Sequence, residues 1–229
     1  MKQPARILLV EDNEADAFLF SETLAEAGPA GCSIETVSTL QAALARIGSG
    51  GLDVVVSDLG LPDSSGLDTI RRLEAADRDV AIVALTVRED DETALAALRE
   101  GAQDYLVKGT VDRDLVWRSL RYAIERKRSE VSLRESEWRY RNLFQSIRDA
   151  LVFTDMEGRI TEANEAFLTM LGFTREELVG RNFREITPEA ALSKEMREHE
   201  AMILGRGYSD IYEKEYARKD GSLCPVELR

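Results

Sequence analysis

The chain has 229 residues, 44% of them hydrophobic and 32% charged, with a formal net charge of −13. That length suits one large domain or two small ones, each able to bury a core. The acidic excess argues against a general nucleic-acid or membrane-surface binder, which needs clustered Lys and Arg, and no stretch approaches the apolar length of a membrane span.

Met1-Lys2-Gln3-Pro4 runs straight into an apolar strand pattern, so no signal peptide is expected. Five short apolar runs follow in the first half: Ile7–Val10, Ile34–Val37, Val54–Val56, Val80–Leu85 and Tyr105–Val107. Runs apolar on both faces suit buried parallel strands, and the second, which alternates, suits an edge. Between them lie helical stripes: Ala17, Phe18, Leu24 and Ala25; Leu40, Ala43, Leu44 and Ile47; Leu67, Ile70 and Leu73; Ala94, Leu95 and Leu98. Gly28, Gly48 and Gly101 stand where helix C-caps are expected. Strands alternating with helices predict an open α/β sheet. Cys32 and Cys224, far apart, read as unpaired thiols of a reducing compartment, and the expected location is cytoplasmic.

From Asp112 to about Ile147 a helical segment without Pro or Gly is predicted. Trp117, Ile124, Val131 and Trp138 recur at heptad spacing, while the companion stripe Leu120, Lys127, Arg134, Arg141 turns basic. This fits a connecting helix that pairs with a second chain, or a solvated single helix. Beyond it, Ala150–Asp155 and Arg159–Ala163 flank a hairpin signal at Met156-Glu157-Gly158. A helix over Asn164–Leu171, another within Glu189–Leu204 and a strand over Tyr208–Arg218, turning at Lys219-Asp220-Gly221, complete a small α+β pattern. The chain stops at Arg229 inside a strand pattern, so the expectation is a fragment whose sheet lacks its closing strand. The predicted division is 1–125, a helical connector over 126–146, and 147–229.

Polar residues gather where the first five strands end. Glu11 and Asp12 follow the first, Asp58 the third, Thr86 the fourth and Lys108 the fifth. Open α/β sheets bind ligands at the carboxyl ends of their strands, near the switch in strand order. With order 2-1-3-4-5, Glu11, Asp12 and Asp58 converge on one crevice. Three such carboxylates repel, and one protonates unless a cation intervenes; Mg²⁺ with oxygen ligands is the economical choice. A carboxylate nucleophile, a metal, an ammonium and a hydroxyl together meet the needs of phosphoryl transfer. Asp58, alone at its strand end, is the candidate nucleophile. Taken singly, each residue has a plain structural reading: Asp12-Asn13 and Thr86 as helix caps, Lys108 as a surface residue.

The motifs Ile7-Leu8-Leu9-Val10-Glu11-Asp12, Asp58-Leu59-Gly60-Leu61-Pro62-Asp63-Ser64-Ser65-Gly66, Ala84-Leu85-Thr86 and Asp104-Tyr105-Leu106-Val107-Lys108 make residues 6–125 resemble a response-regulator receiver domain. The resemblance implies a five-stranded, doubly wound parallel sheet of flavodoxin-like type. It also implies a phosphoryl group donated to Asp58 by a histidine kinase or a phosphotransfer protein. Glu11, Asp12, Asp58 and the Gly60 carbonyl would hold Mg²⁺, Thr86 and Lys108 would contact the phosphoryl group, and Tyr105 matches the aromatic switch position coupled to Thr86. Two residues depart from the pattern. Gly109 stands where most members have proline, and Val87 where most have a small residue; the latter suggests a long-lived phosphoryl state.

Residues from about Glu137 onward resemble a PAS sensory domain through Arg141-Asn142-Leu143-Phe144, Asp155–Ile160, Asn164-Glu165-Ala166-Phe167, Met170-Leu171-Gly172-Phe173, Glu176–Arg181 and Arg218–Ser222. The likeness points to no particular ligand. Phe183 follows Gly180-Arg181-Asn182 where photoactive flavin relatives have Cys, which argues against a flavin-thiol photocycle. His199, flanked by Glu198 and Glu200, reads as a surface residue and argues against haem. A homodimer through the connector and the PAS domain is expected. The expected function is a two-component phosphorylation switch. The alternatives are the N-terminal part of a hybrid histidine kinase or cyclic-dinucleotide synthase, a metal-dependent phosphatase, and a receiver used only as a scaffold. Gly60, where a phosphatase places a second Asp, speaks against the phosphatase.

Overall fold

The computed structural model describes residues 4–27, 32–87, 91–109, 113–189, 205 and 211–228. The chain divides into two compact units, Met1–Glu135 and Ser136–Arg229. The first runs β1 (Arg6–Val10), α1 (Glu14–Ala27), β2 (Ser33–Val37), α2 (Leu40–Gly48), β3 (Val54–Asp58), β4 (Gly60–Leu61), β5 (Ser64–Ser65), α3 (Leu67–Ala76), β6 (Ala81–Thr86), α4 (Asp91–Arg99) and β7 (Asp104–Val107). The long α5 (Arg113–Ser146) begins in this unit and ends in the second. The second unit continues with β8 (Val152–Thr154), β9 (Ile160–Ala163), α6 (Glu165–Leu171), α7 (Arg175–Leu178), a 3-10 turn at Phe183–Ile186, β10 (Tyr212–Ala217) and β11 (Leu223–Leu228). Gly28, the helix expected within 189–204 with its His199, and the start of the strand expected from Tyr208 lie outside the described residues.

All five predicted strands of the first half form. They pair in parallel, in the order β2-β1-β3-β6-β7. The two-residue side-chain period of a strand sorts them onto two faces. Ile7, Leu9, Val54, Val56, Val83 and Leu85 pack against Leu24 of α1 and Val116 and Leu120 of α5. Leu8, Val10, Val55, Ile82 and Ala84 pack against Leu40 and Ile47 of α2, Ile70 and Leu73 of α3, and Ala97 of α4. Every residue of β3 is buried, whereas β2 at the edge is not. Each such Leu, Ile or Val contributes about 1.5–3 kcal/mol of burial. The strand order reverses between β1 and β3, which opens a crevice at their carboxyl ends.

The heptad series on α5 is divided. Trp117 and Ile124 are spent on the core of the first unit, while Trp138 is exposed. In the second unit Phe167 meets Tyr216 edge-on, ring centroids 5.7 Å apart, within a core that includes Ile160, Leu171, Leu178 and Cys224. Gly158, at φ +80°, turns the β8–β9 hairpin; a Cβ there would stand 2.7 Å from Phe183 Cε1. Fully buried Asn164 caps α6. Its Oδ1 accepts from Phe167 N (3.0 Å) and Leu151 N (2.9 Å), and its Nδ2 donates to the carbonyls of Ile147 (3.2 Å) and Asp149 (2.8 Å).

Candidate functional site

The acidic cluster forms at the β1–β3 crevice. Glu11, Asp12 and Asp58 each offer a carboxylate oxygen, all within 4.8 Å of one another. Glu11 is the residue after β1 and is anchored by its backbone, Glu11 N donating to Val37 O at 2.9 Å. Asp58 ends β3, in register with Leu85 of β6. The loop after it is braced. Gly60 N donates to Asp58 Oδ1 (3.0 Å), and Gly66 N to Leu59 O (2.7 Å). Asp63 receives the backbone N–H groups of Leu40 and Gln41, both at 2.8 Å, so that the loop caps α2. Asn13, not Asp12, caps α1, with Oδ1 accepting from Ala15 N at 2.9 Å.

A cation of the chain itself, the Lys108 ammonium, stands among these carboxylates. Lys108 Nζ lies 2.5 Å from Glu11 Oε2, 2.7 Å from Asp58 Oδ2 and 3.2 Å from Asp16 Oδ2. The contact with Asp58 is a hydrogen bond, and the contact with Glu11 is an ion pair without hydrogen-bond alignment at Oε2. The Lys108 backbone is fixed by its N–H to Thr86 O at 2.8 Å. Burial alone lowers the affinity of Lys108 for its proton, but the contacts with Asp58 and Glu11 outweigh it and hold the ammonium above the ordinary lysine range. Burial pushes the Glu11 carboxyl up, and Lys108 and the N–H of Asn13 offset part of that rise.

Thr86 ends β6, paired with Val107, and Tyr105 pairs with Ala84. Parallel register therefore puts Thr86 and Tyr105 on the same face of the sheet, with Tyr105 against the α2–α4 core. The candidate residues Glu11, Asp12, Asp58, Gly60, Thr86 and Lys108 thus share one end of the sheet. Gly109 takes φ +80°, a conformation closed to proline, whose ring fixes φ near −65°. Val87 is exposed. Asp16 was missed in the sequence. It sits on the first turn of α1, a helix that begins two residues after Asp12.

Three carboxylates around a small crevice, oxygen donors only, fit a hard dication such as Mg²⁺ better than a soft one. Among the described residues of the second unit no such acidic cluster occurs. Cys32 and Cys224 are free. No described helix is long and apolar enough to cross a membrane.

Comparison with known proteins agrees with this geometry. Residues 7–120 match the response regulator receiver domain family, and residues 148–229 match the PAS domain family. The chain is 36% identical over 100 residues to the regulatory protein LuxO of Vibrio cholerae, covering 44% of this chain and 21% of LuxO. It is 25% identical over 204 residues to the sensor histidine kinase TmoS of Ectopseudomonas mendocina, covering 74% of this chain and 21% of TmoS. The chain therefore spans about a fifth of the length of these relatives. The crystal structure of the signal receiver domain of an HD domain-containing protein from Pseudomonas fluorescens Pf-5 superposes with a TM-score of 0.51 at 25% identity, covering 58% of this chain and 95% of that one. With strand order, acidic cluster and family matches in agreement, the chain belongs to the response regulator receiver family over residues 7–120 and to the PAS family over residues 148–229.

Proposed function

We propose that the first unit is a phosphoryl acceptor in two-component signalling, with Asp58 as nucleophile and a histidine kinase or phosphotransfer protein as donor. The observation that carries this reading is the Lys108 ammonium bonded to Asp58 inside the Glu11–Asp12–Asp58 cluster. An Asp58 carboxylate oxygen attacks phosphorus, the N–P bond of a phosphohistidine breaks, and the imidazole leaves as the neutral base once protonated. Lys108 neutralises charge on the equatorial oxygens, and the Thr86 hydroxyl donates to one of them. Gly60 N, already on Asp58 Oδ1, orients the carboxylate. Glu11, Asp12, Asp58 and the Gly60 carbonyl would hold Mg²⁺, which when bound supplies Lewis-acid charge neutralisation for the transferred group.

The phosphorylated Asp58 adds a charge of roughly −1.5 to −2 at the crevice. Thr86 moves toward it, and Tyr105, on the same face of the sheet, follows. Val87 beside the site slows the entry of water and lengthens the life of the acyl phosphate. Exposed Leu133, Trp138 and Leu143 on α5 favour a homodimer through this helix and the PAS domain.

The test is intact mass after incubation of the whole chain with phosphoramidate or acetyl phosphate and Mg²⁺, beside Asp58→Asn. One phosphate on the wild type alone supports the reading, and its decay after donor removal gives the lifetime. Labelling of Asp58→Asn at another acid overturns the assignment. No labelling of the wild type, with partner kinases also failing, favours a scaffold.

A further inference from the structure

Lys108 has one partner that phosphoryl acceptance leaves unused. Asp16 Oδ2 accepts a hydrogen bond from Lys108 Nζ at 3.2 Å. The side chain of Asp16 is 46% exposed, against 1% for Glu11 and 10% for Asp58. The three carboxylates in contact with the ammonium are therefore unequal. Glu11 and Asp58 lie in the cluster that a dication and a phosphoryl group require, while Asp16 stands outside it on α1. Its place is fixed, because Asn13 Oδ1 caps the helix through Ala15 N (2.9 Å) and Asp16 N (3.3 Å).

Room for movement adjoins it. A pocket of about 180 Å³ is lined by Glu11, Asp16, Leu19, Lys108 and Gly109 among others. The lysine stem is a flexible four-carbon chain, and Gly109 contributes no side chain to obstruct it. Glu11, Asp12 and Asp58, were they to hold a dication, would no longer be free to partner the ammonium, which the added positive charge would repel. Among the described residues, two destinations then remain for Nζ: an oxygen of the phosphoryl group, or Asp16.

We propose that Asp16 is a positioning residue for Lys108, a berth on α1 that holds the ammonium clear of the loaded cluster and competes with the phosphoryl group for it. The proposal rests on Asp58 being the acceptor. It makes Asp16 a brake on the phosphorylated state: the stronger its hold on Lys108, the less the phosphoryl group gains from the ammonium.

The test is a double-mutant cycle on the whole chain, with Mg²⁺ saturating and beryllofluoride as the phosphoryl analogue, read by calorimetric titration. Asp16→Asn should tighten beryllofluoride binding about two- to fivefold, the scale of an ion pair with one half-exposed member. The same substitution in a Lys108→Met background should change nothing, and Asp16→Glu should keep wild-type affinity. Lys108→Gln serves as a second background if Lys108→Met binds too weakly. Equal tightening with and without Lys108 would show a field effect of the charge alone and overturn the proposal while leaving Asp58 as acceptor. No change on Asp16→Asn also overturns it. A wild type that takes up no beryllofluoride overturns both.

Discussion

Replacing Lys108 by Met removes the cation from a group of carboxylates and leaves them to one another. At 4.8 Å, two unit charges in an effective dielectric near 20 repel by about 3.5 kcal/mol. Removal of one member of a buried ion pair costs about 3–5 kcal/mol, and Glu11 and Asp58 both lose their partner. The expected loss at pH 7 without metal is about 3 kcal/mol, because water reaches Asp12 and part of the charge relaxes. For a unit of this size that is about 10 °C in Tm. The pH dependence has a definite sign. Burial already raises the Glu11 carboxyl above its ordinary 4.5, and loss of Lys108 raises it further. An acid so raised favours the fold below its unfolded value and loses that contribution as pH rises through its folded value. The penalty of Lys108→Met is therefore largest at neutral pH and smallest below about 4.5. Mg²⁺ takes over the lost neutralisation, so it stabilises Lys108→Met more than wild type, on top of the roughly 2.7 kcal/mol that any ligand gives at a hundred times its Kd. Trp117 packs against the first core and reports this unit alone once Trp138 is changed to Phe. Melting of Lys108→Met within about 1 °C of wild type at pH 7 without metal, or an equal response to Mg²⁺, would refute the argument.

Gly109→Ala should destabilise the first unit by about 1–2 kcal/mol in thermal unfolding. The cost comes from φ +80° and not from crowding, since nothing lies within 4 Å of the added Cβ; Gly109→Pro should cost more. Asp63→Asn should lower Tm at pH 7, with the difference shrinking as pH falls below the ordinary 3.8. The N–H groups of Gln41 and Leu40 hold the Asp63 carboxyl below that value, so its contribution is present above 3.8 and lost as pH falls through the folded value. Asn164→Leu should strip partners from two N–H and two carbonyl groups at about 1–3 kcal/mol each. Hydrogen exchange should then show the second unit opening while Asp58 still takes up phosphate.

The sheet was legible because buried parallel strands write themselves as uninterrupted apolar runs. Val54, Val55 and Val56 needed no context, and the structure extends that strand only to Ser57 and Asp58. The site was legible for a related reason: strand ends fix where Glu11, Asp58, Thr86 and Lys108 emerge. What stayed hidden depends on contacts distant in sequence. Asp63 reads as an ordinary turn residue until its carboxylate meets the N–H groups of Leu40 and Gln41, 23 and 22 residues away. The partner of Lys108 on α1 is 92 residues away and lies outside every strand end. Heptad spacing on α5 has a source within the chain at its first two positions, because Trp117 and Ile124 pack into the core of the first unit. Gly48 is the last residue of α2 itself, and the positive φ falls two residues later, on Gly50.

Helix α5 is held by different forces along its length, and this predicts where salt acts on it. At 34 residues it is about 51 Å long. Val116, Leu120, Ala123 and Ile124 bury its first turns in the first unit. Further on, apolar burial gives way to charge: Arg128 reaches Asp53 at 2.8 Å, Arg134 bonds to Asp79, and Lys127 stands 3.7 Å from Glu130. Near its end, Phe144 stacks on Tyr140 and Phe153, and Asn164 takes the Ile147 carbonyl. Ion pairs with half-exposed arginines are worth about 0–1 kcal/mol each and are screened by salt, whereas apolar burial is not. The basic stripe is thus in part the means by which the helix holds on to the acids of its own unit, through Arg134 and Asp79. Raising ionic strength from about 0.05 to about 0.5 M should speed amide exchange over residues 127–135 and leave residues 116–124 unchanged. Equal protection of both stretches at both ionic strengths would mean that the arginine pairs hold nothing, and that the middle of α5 is kept helical by its own propensity.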